Sequence, residues 1–126
     1  MLHILLLSTR QEIIGSFVES LSSDSEVCLE FATSEAEVLS VVHAACPHLV
    51  IVDSASPDID SLDLVREMIS VNAMVNTAVV SPLSAADFHD KSEGLGILCR
   101  LPLEPGSNDS TSLLRKLRRV LGRLDL

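Results

Sequence analysis

The stretch Pro47 to Met68, PHLVIVDSASPDIDSLDLVREM, decides how this chain folds. Leu49, Val50, Ile51 and Val52 form an apolar run without alternation. Such a run, rich in β-branched residues, reads as a parallel strand covered on both faces. Asp53 follows as the first polar side chain where that strand leaves the sheet. In open α/β sheets, ligands and chemistry gather at the carboxyl ends of the strands. The turn-forming residues Ser54 to Ser61, with Pro57, come next. After them Leu62, Val65, Met68 and Ile69 recur at helical spacing.

The same alternation extends in both directions. Toward the N-terminus, His3 to Leu7 is continuously apolar and reads as a central strand. Ile13, Ile14, Phe17, Val18 and Leu21 mark the helix after it, with Thr9 and Glu12 spaced as its capping box. Val27 to Ala32 alternates, which suggests an edge strand with one wetter face. Ser34 and Glu37 are spaced as a second capping box, opening a helix that carries Val38, Leu39, Val41 and Val42. Toward the C-terminus, Thr77 to Val80 reads as a fourth strand and Ala86 to Ser92 as a short helix. Ile97 to Leu101 reads as a fifth strand. A last helix from about Ser110 carries Leu113, Leu114, Leu117, Val120, Leu121 and Leu124 on one face. Strict β–α alternation implies a parallel sheet with helices on both sides. With the second strand at an edge, the order 2-1-3-4-5 follows. Asp53 then lies at the switch point between strands one and three.

At 126 residues the chain is expected to form one domain, 1–126, with a core that needs neither disulfide nor metal. No apolar run approaches the roughly 18 residues of a membrane span. The start, MLHILLLSTR, lacks the basic region and cleavage site of a signal peptide, so a cytoplasmic location is expected. Cys28, Cys46 and Cys99 are odd in number and widely spaced, as reduced buried thiols would be. A net charge of −9 and the lack of Trp and Tyr argue against direct nucleic-acid binding. His3, His43, His48 and His89 show no metal-ligand spacing. Gly94-Leu95-Gly96 precedes a strand rather than following one, so it is no nucleotide loop. Asp58, Asp60 and Asp63 lack the Gly and Glu of a calcium loop and read as an acidic helix start. Nothing marks the chain as an enzyme.

Asp53, the Pro-containing loop, the helix from Ser61, Val79-Val80-Ser81, and GLGILCRLP from Gly94 to Pro102 together resemble response-regulator receiver domains. The resemblance spans the chain. It implies a flavodoxin-like (βα)5 fold and a place in two-component phosphorelay signalling, with a histidine kinase, another signalling protein or an output domain as partner. It makes Asp53 the phosphoacceptor and Ser81 the hydroxyl that contacts the phosphoryl group. Leu98 falls at the aromatic switch position. Mg²⁺ would be held by Asp53, an acidic pair after the first strand and the backbone carbonyl of Ala55.

Several of these positions are substituted. The acidic pair falls on Ser8 and Thr9, which loses a Coulomb term of about 1–4 kcal/mol per charge at 4 Å. The lysine before the fifth-strand proline falls on Leu101. Arg100 is one residue early and points to the other face. Pro82 follows Ser81 and has no N–H to offer a phosphate. The expectation is a degenerate receiver with little or no Mg²⁺ binding, acting by protein–protein contact. The alternatives are a working phosphoreceiver on Asp53, or a flavodoxin-like binder of small molecules with Ser8-Thr9-Arg10 as a faint phosphate loop. Five of the nine basic residues, Arg115, Lys116, Arg118, Arg119 and Arg123, lie in the last dozen positions. That charge suggests a homodimer or partner contact through the last helix and fifth strand.

Overall fold

The computed structural model describes residues 1–10, 12–53 and 61–122. Among the described residues ten elements alternate: β1 (Leu2–Leu7), α1 (Gly15–Ser22), β2 (Val27–Ala32), α2 (Glu35–Ala44), β3 (Leu49–Asp53), α3 (Ser61–Val71), β4 (Thr77–Val80), α4 (Ala85–Ser92), β5 (Cys99–Leu101) and α5 (Ser107–Val120). The five strands are all parallel, in the order β2-β1-β3-β4-β5. This is the flavodoxin-like topology expected from the alternation together with an edge position for β2. Among the described residues, no helix is long and apolar enough to cross a membrane.

The sheet separates two apolar layers, because successive side chains of a strand point to opposite faces. On one face Ile4, Leu6, Ile51, Ala78, Val80 and Leu101 pack with Phe17 and Leu21 of α1 and with Leu113, Leu114 and Leu117 of α5. On the other, Leu5, Leu7, Val50, Val52 and Val79 pack with Val38 and Val42 of α2, Leu64, Val65 and Met68 of α3, and Phe88 of α4. The β3 run is buried along its whole length, as a central strand must be.

Local chemistry moves several boundaries from their expected places. The helix after β1 starts only at Gly15, and Ile14 at its N-cap has no side-chain cap. Thr9 and Glu12 do not form a capping box. Instead the N–H groups of Ile13 and Ile14 both donate to the Arg10 carbonyl, closing a turn that leaves Ile13 53% exposed. At α2 the expected cap is half realised. The Ser34 hydroxyl accepts from the Glu37 N–H at 3.1 Å, while the Glu37 carboxylate turns to Thr33. The last strand is short because Gly94 and Gly96, both at positive φ, spend the preceding residues on reversing the chain. Only at Leu98 does an N–H reach the Thr77 carbonyl, at 2.8 Å. The last helix begins three residues before Ser110, with the Gly106 N–H held by the Asp109 carboxylate at 2.8 Å. Val120, expected on its apolar face, is 55% exposed. Leu124 lies outside the described residues. Cys46 is exposed rather than buried, and all three thiols are unpaired.

An ion pair fastens α5 to the loop between α1 and β2. The Arg118 guanidinium donates to Asp24 at 2.8 Å and to Glu26 at 2.9 Å. The Arg118 hydrogen bond, helped by the Glu26 backbone N–H, holds the Asp24 carboxyl below its ordinary value of 3.8. Its stabilisation is therefore complete above that value and drains away as pH falls through the lower folded one. Arg118→Met should cost about 0.5–1 kcal/mol at neutral pH, the range for partly exposed pairs. Urea melts of both proteins at about pH 7 and about pH 3 should show the difference shrinking in acid.

Candidate functional site

Register places the site. Leu7 pairs with Val52, Asp53 with Val80, and Val80 with Leu101. Ser8, one residue beyond Leu7, stands beside Asp53. Val80 and Leu101 face the α1/α5 layer, so Asp53 opens toward that layer at the carboxyl end of the sheet. Its side chain is 1% exposed.

A buried carboxylate requires a counter-charge or several donors. Here it has both. The Ser8 hydroxyl donates to Asp53 Oδ2 at 2.8 Å. Arg10 clamps the carboxylate in a fork, Nε to Oδ2 at 2.8 Å and Nη2 to Oδ1 at 3.0 Å. Charge-assisted bidentate pairs of this kind are the strongest side-chain hydrogen bonds. Ser8 also shapes the loop, because its Oγ accepts the Arg10 N–H at 3.0 Å. Nη2 of Arg10 donates further, to the Leu103 carbonyl at 2.8 Å. One side chain thus ties the β1–α1 loop, the end of β3 and the β5–α5 loop together. The Arg10 side chain is 18% exposed. Among the described residues, no buried side-chain nitrogen or oxygen lacks a partner.

The other positions singled out in the sequence do not converge on the carboxylate in this way. Thr9 is exposed and lines a cavity of about 570 Å³ with Ser8, Arg10, Glu12 and Ile13. Leu101 is 2% exposed and packs with Leu113, Leu114 and Leu117. Leu98 is half-buried against the same layer. The buried Ser81 hydroxyl accepts the Leu83 N–H at 3.2 Å, which shapes the turn at Pro82. Arg100, level with Val79, stands on the opposite face and reaches the Ser81 carbonyl at 3.5 Å. Ala55, Asp58 and Asp60 lie outside the described residues.

The described residues do not fit a divalent cation. Of the two acidic-pair positions, one is a hydroxyl donating to Asp53 and the other faces solvent. The carboxylate that would bind the ion is neutralised by a guanidinium. Among the described residues, no three His, Cys, Asp or Glu side chains gather as a metal site. That holds also at the other end of the sheet. There His3 stacks on His48, with ring centroids 5.7 Å apart, beside a cavity lined by Cys28, Glu30 and Cys46.

Sequence reasoning missed the role of Arg10. A signal for it was present. A buried strand-end carboxylate with no lysine at the Leu101 position needs another cation, and Arg10 is the basic residue on the loop beside Ser8.

No family model and no curated relative matches the sequence. Solved structures do match. A CheY-like response regulator receiver domain protein of Methanospirillum hungatei JF-1 superposes with a TM-score of 0.80 at 16% identity, covering 98% of this chain and 99% of that one. The chemotaxis response regulator CheY4 of Vibrio cholerae gives 0.76 at 16% identity, over 93% and 98% of the two chains. A protein of Burkholderia thailandensis named for pilus assembly, cpaE, gives 0.76 at 11% identity, over 94% and 99%. The chain therefore has the CheY-like receiver fold. That fold also occurs in proteins named for other processes, so function must be argued from the site.

Proposed function

We propose that this domain is a receiver-like module of two-component signalling that does not accept a phosphoryl group and works by protein–protein contact. The bidentate Arg10–Asp53 pair carries this reading. Phosphoryl transfer to a carboxylate needs an oxygen free to attack and cations placed on the incoming phosphate. Here both carboxylate oxygens already accept charge-assisted hydrogen bonds, and the carboxylate is shut from solvent. The lysine position is an apolar core residue.

Incubation with acetyl phosphate and Mg²⁺, followed by intact mass spectrometry, tests the reading. The expected result is no phosphoryl adduct. An adduct that disappears in Asp53→Asn would mean that the domain is a working phosphoreceiver.

The basic side of α5 and the edge of β5 are the proposed contact surface for a kinase, an output domain or a second copy. Arg118 is spent on Asp24 and Glu26, and Arg123 lies outside the described residues. Arg115, Lys116 and Arg119 remain exposed, with Val120 beside them. On a chain of net charge −9 such a patch orients acidic partners. Arg115→Glu with Arg119→Glu should weaken association. Added salt should weaken it too, as the Debye length falls below about 8–10 Å. Sedimentation of both proteins at low and high salt checks this; identical species throughout would exclude the surface.

A further inference from the structure

We propose that Arg10 is a strut that carries the state of Asp53 to the start of α5. The inference rests on the reading above and adds how the contact face is held. The guanidinium has one edge on the Asp53 carboxylate and, through Nη2, a hydrogen bond to the Leu103 carbonyl at 2.8 Å. Three residues after Leu103 comes Gly106, whose N–H is fixed by Asp109 in the first turn of α5. Pro105 between them is buried, so the segment has little slack. A planar fork can satisfy a carboxylate and a carbonyl at once with little loss of rotamer freedom. The position of the α5 N-terminus is thus set by a side chain from the opposite loop, and that side chain is set by a carboxylate 43 residues away. The α5 face is held in one arrangement by the protein's own cation, with no added ion or phosphoryl group. Removing the Asp53 charge, or engaging Arg10 elsewhere, frees the β5–α5 loop.

Lysine separates the two jobs of Arg10. Arg10→Lys keeps a positive charge for Asp53 but lacks the fork that also reaches Leu103. Amide exchange on the full chain reads the result at Gly106 and at Asp109 and Ser110, whose N–H groups bond to the Gly106 carbonyl. Exchange at these amides should rise about tenfold or more in Arg10→Lys and in Asp53→Asn. The double variant Arg10→Met, Asp53→Asn leaves no unpaired buried charge and should show the same rise. Arg118→Met, which cuts α5 loose from Asp24 and Glu26 instead, should leave these amides unchanged. Unchanged exchange at Gly106 in both Arg10→Lys and the double variant would overturn the strut. A rise in Arg118→Met equal to that in Arg10→Lys would overturn it too, since the effect would then be general loosening. A phosphoryl adduct on the wild-type chain would sink the reading that Asp53 accepts no phosphoryl group, while the exchange comparison would still stand on its own.

Discussion

Arg10→Met should destabilise the domain by about 3–5 kcal/mol, the usual loss when one partner of a buried ion pair is removed. The argument is the asymmetry of the pair. Asp53 is 1% exposed while Arg10 is 18% exposed. Without the guanidinium, the carboxylate keeps the Ser8 hydroxyl but has lost its fork of charged donors. It cannot turn to water. Without the carboxylate, the arginine can slide outward and solvate its head. Asp53→Asn should therefore cost less, about 1–2 kcal/mol. The double variant should lie near Asp53→Asn rather than near the sum, because its remaining groups are neutral. Urea melts of the four proteins give the cycle. An Arg10→Met protein within about 1 kcal/mol of wild type would mean that the pair adds little, as many exposed pairs do.

The sequence made the sheet legible because its evidence is local. An unbroken apolar run marks a strand buried on both faces, and β1, β3 and β4 each carry one. The alternating pattern of β2 marks an edge, and order 2-1-3-4-5 follows from those facts. The departures arise where a distant group outweighs a local preference. Thr9 and Glu12 have the spacing of a cap, but Ser8 is engaged by Asp53 and by the Arg10 N–H, so the chain enters a turn before α1. Four apolar residues between Ile97 and Leu101 suggest a full fifth strand, yet the strand forms only from Cys99, after two glycines at positive φ have turned the chain. Asp53 was visible as a strand-end carboxylate and Ser8, Thr9 and Leu101 as substituted positions. Their consequence was not visible, because an arginine reaches far and its target lies 43 residues away. No short-range pattern encodes that contact. Only the requirement that a buried charge be neutralised points to it.

That requirement gives a second test, in which one substitution should reverse its sign. Leu101 lies level with Val80, and Val80 with Asp53, so Leu101 and Asp53 share a row and a face two strand spacings apart, about 10 Å. In the wild-type chain Leu101→Lys should cost about 3–5 kcal/mol, since it removes a buried leucine and places an ammonium against Leu113, Leu114 and Leu117. Asp53 cannot compensate, because its charge already belongs to Arg10. In the Arg10→Met background the same substitution meets a carboxylate that has lost its guanidinium, within the combined reach of the two side chains. There it should recover about 1–3 kcal/mol, since a close counter-charge repays part of the desolvation. The coupling between positions 10 and 101 would then be several kcal/mol, far above the few tenths expected of independent sites. Denaturant melts of wild type, the two single variants and the double variant measure it. If Leu101→Lys is equally damaging in both backgrounds, residue 101 cannot address Asp53. The site then has only one place for a cation, the one that Arg10 fills.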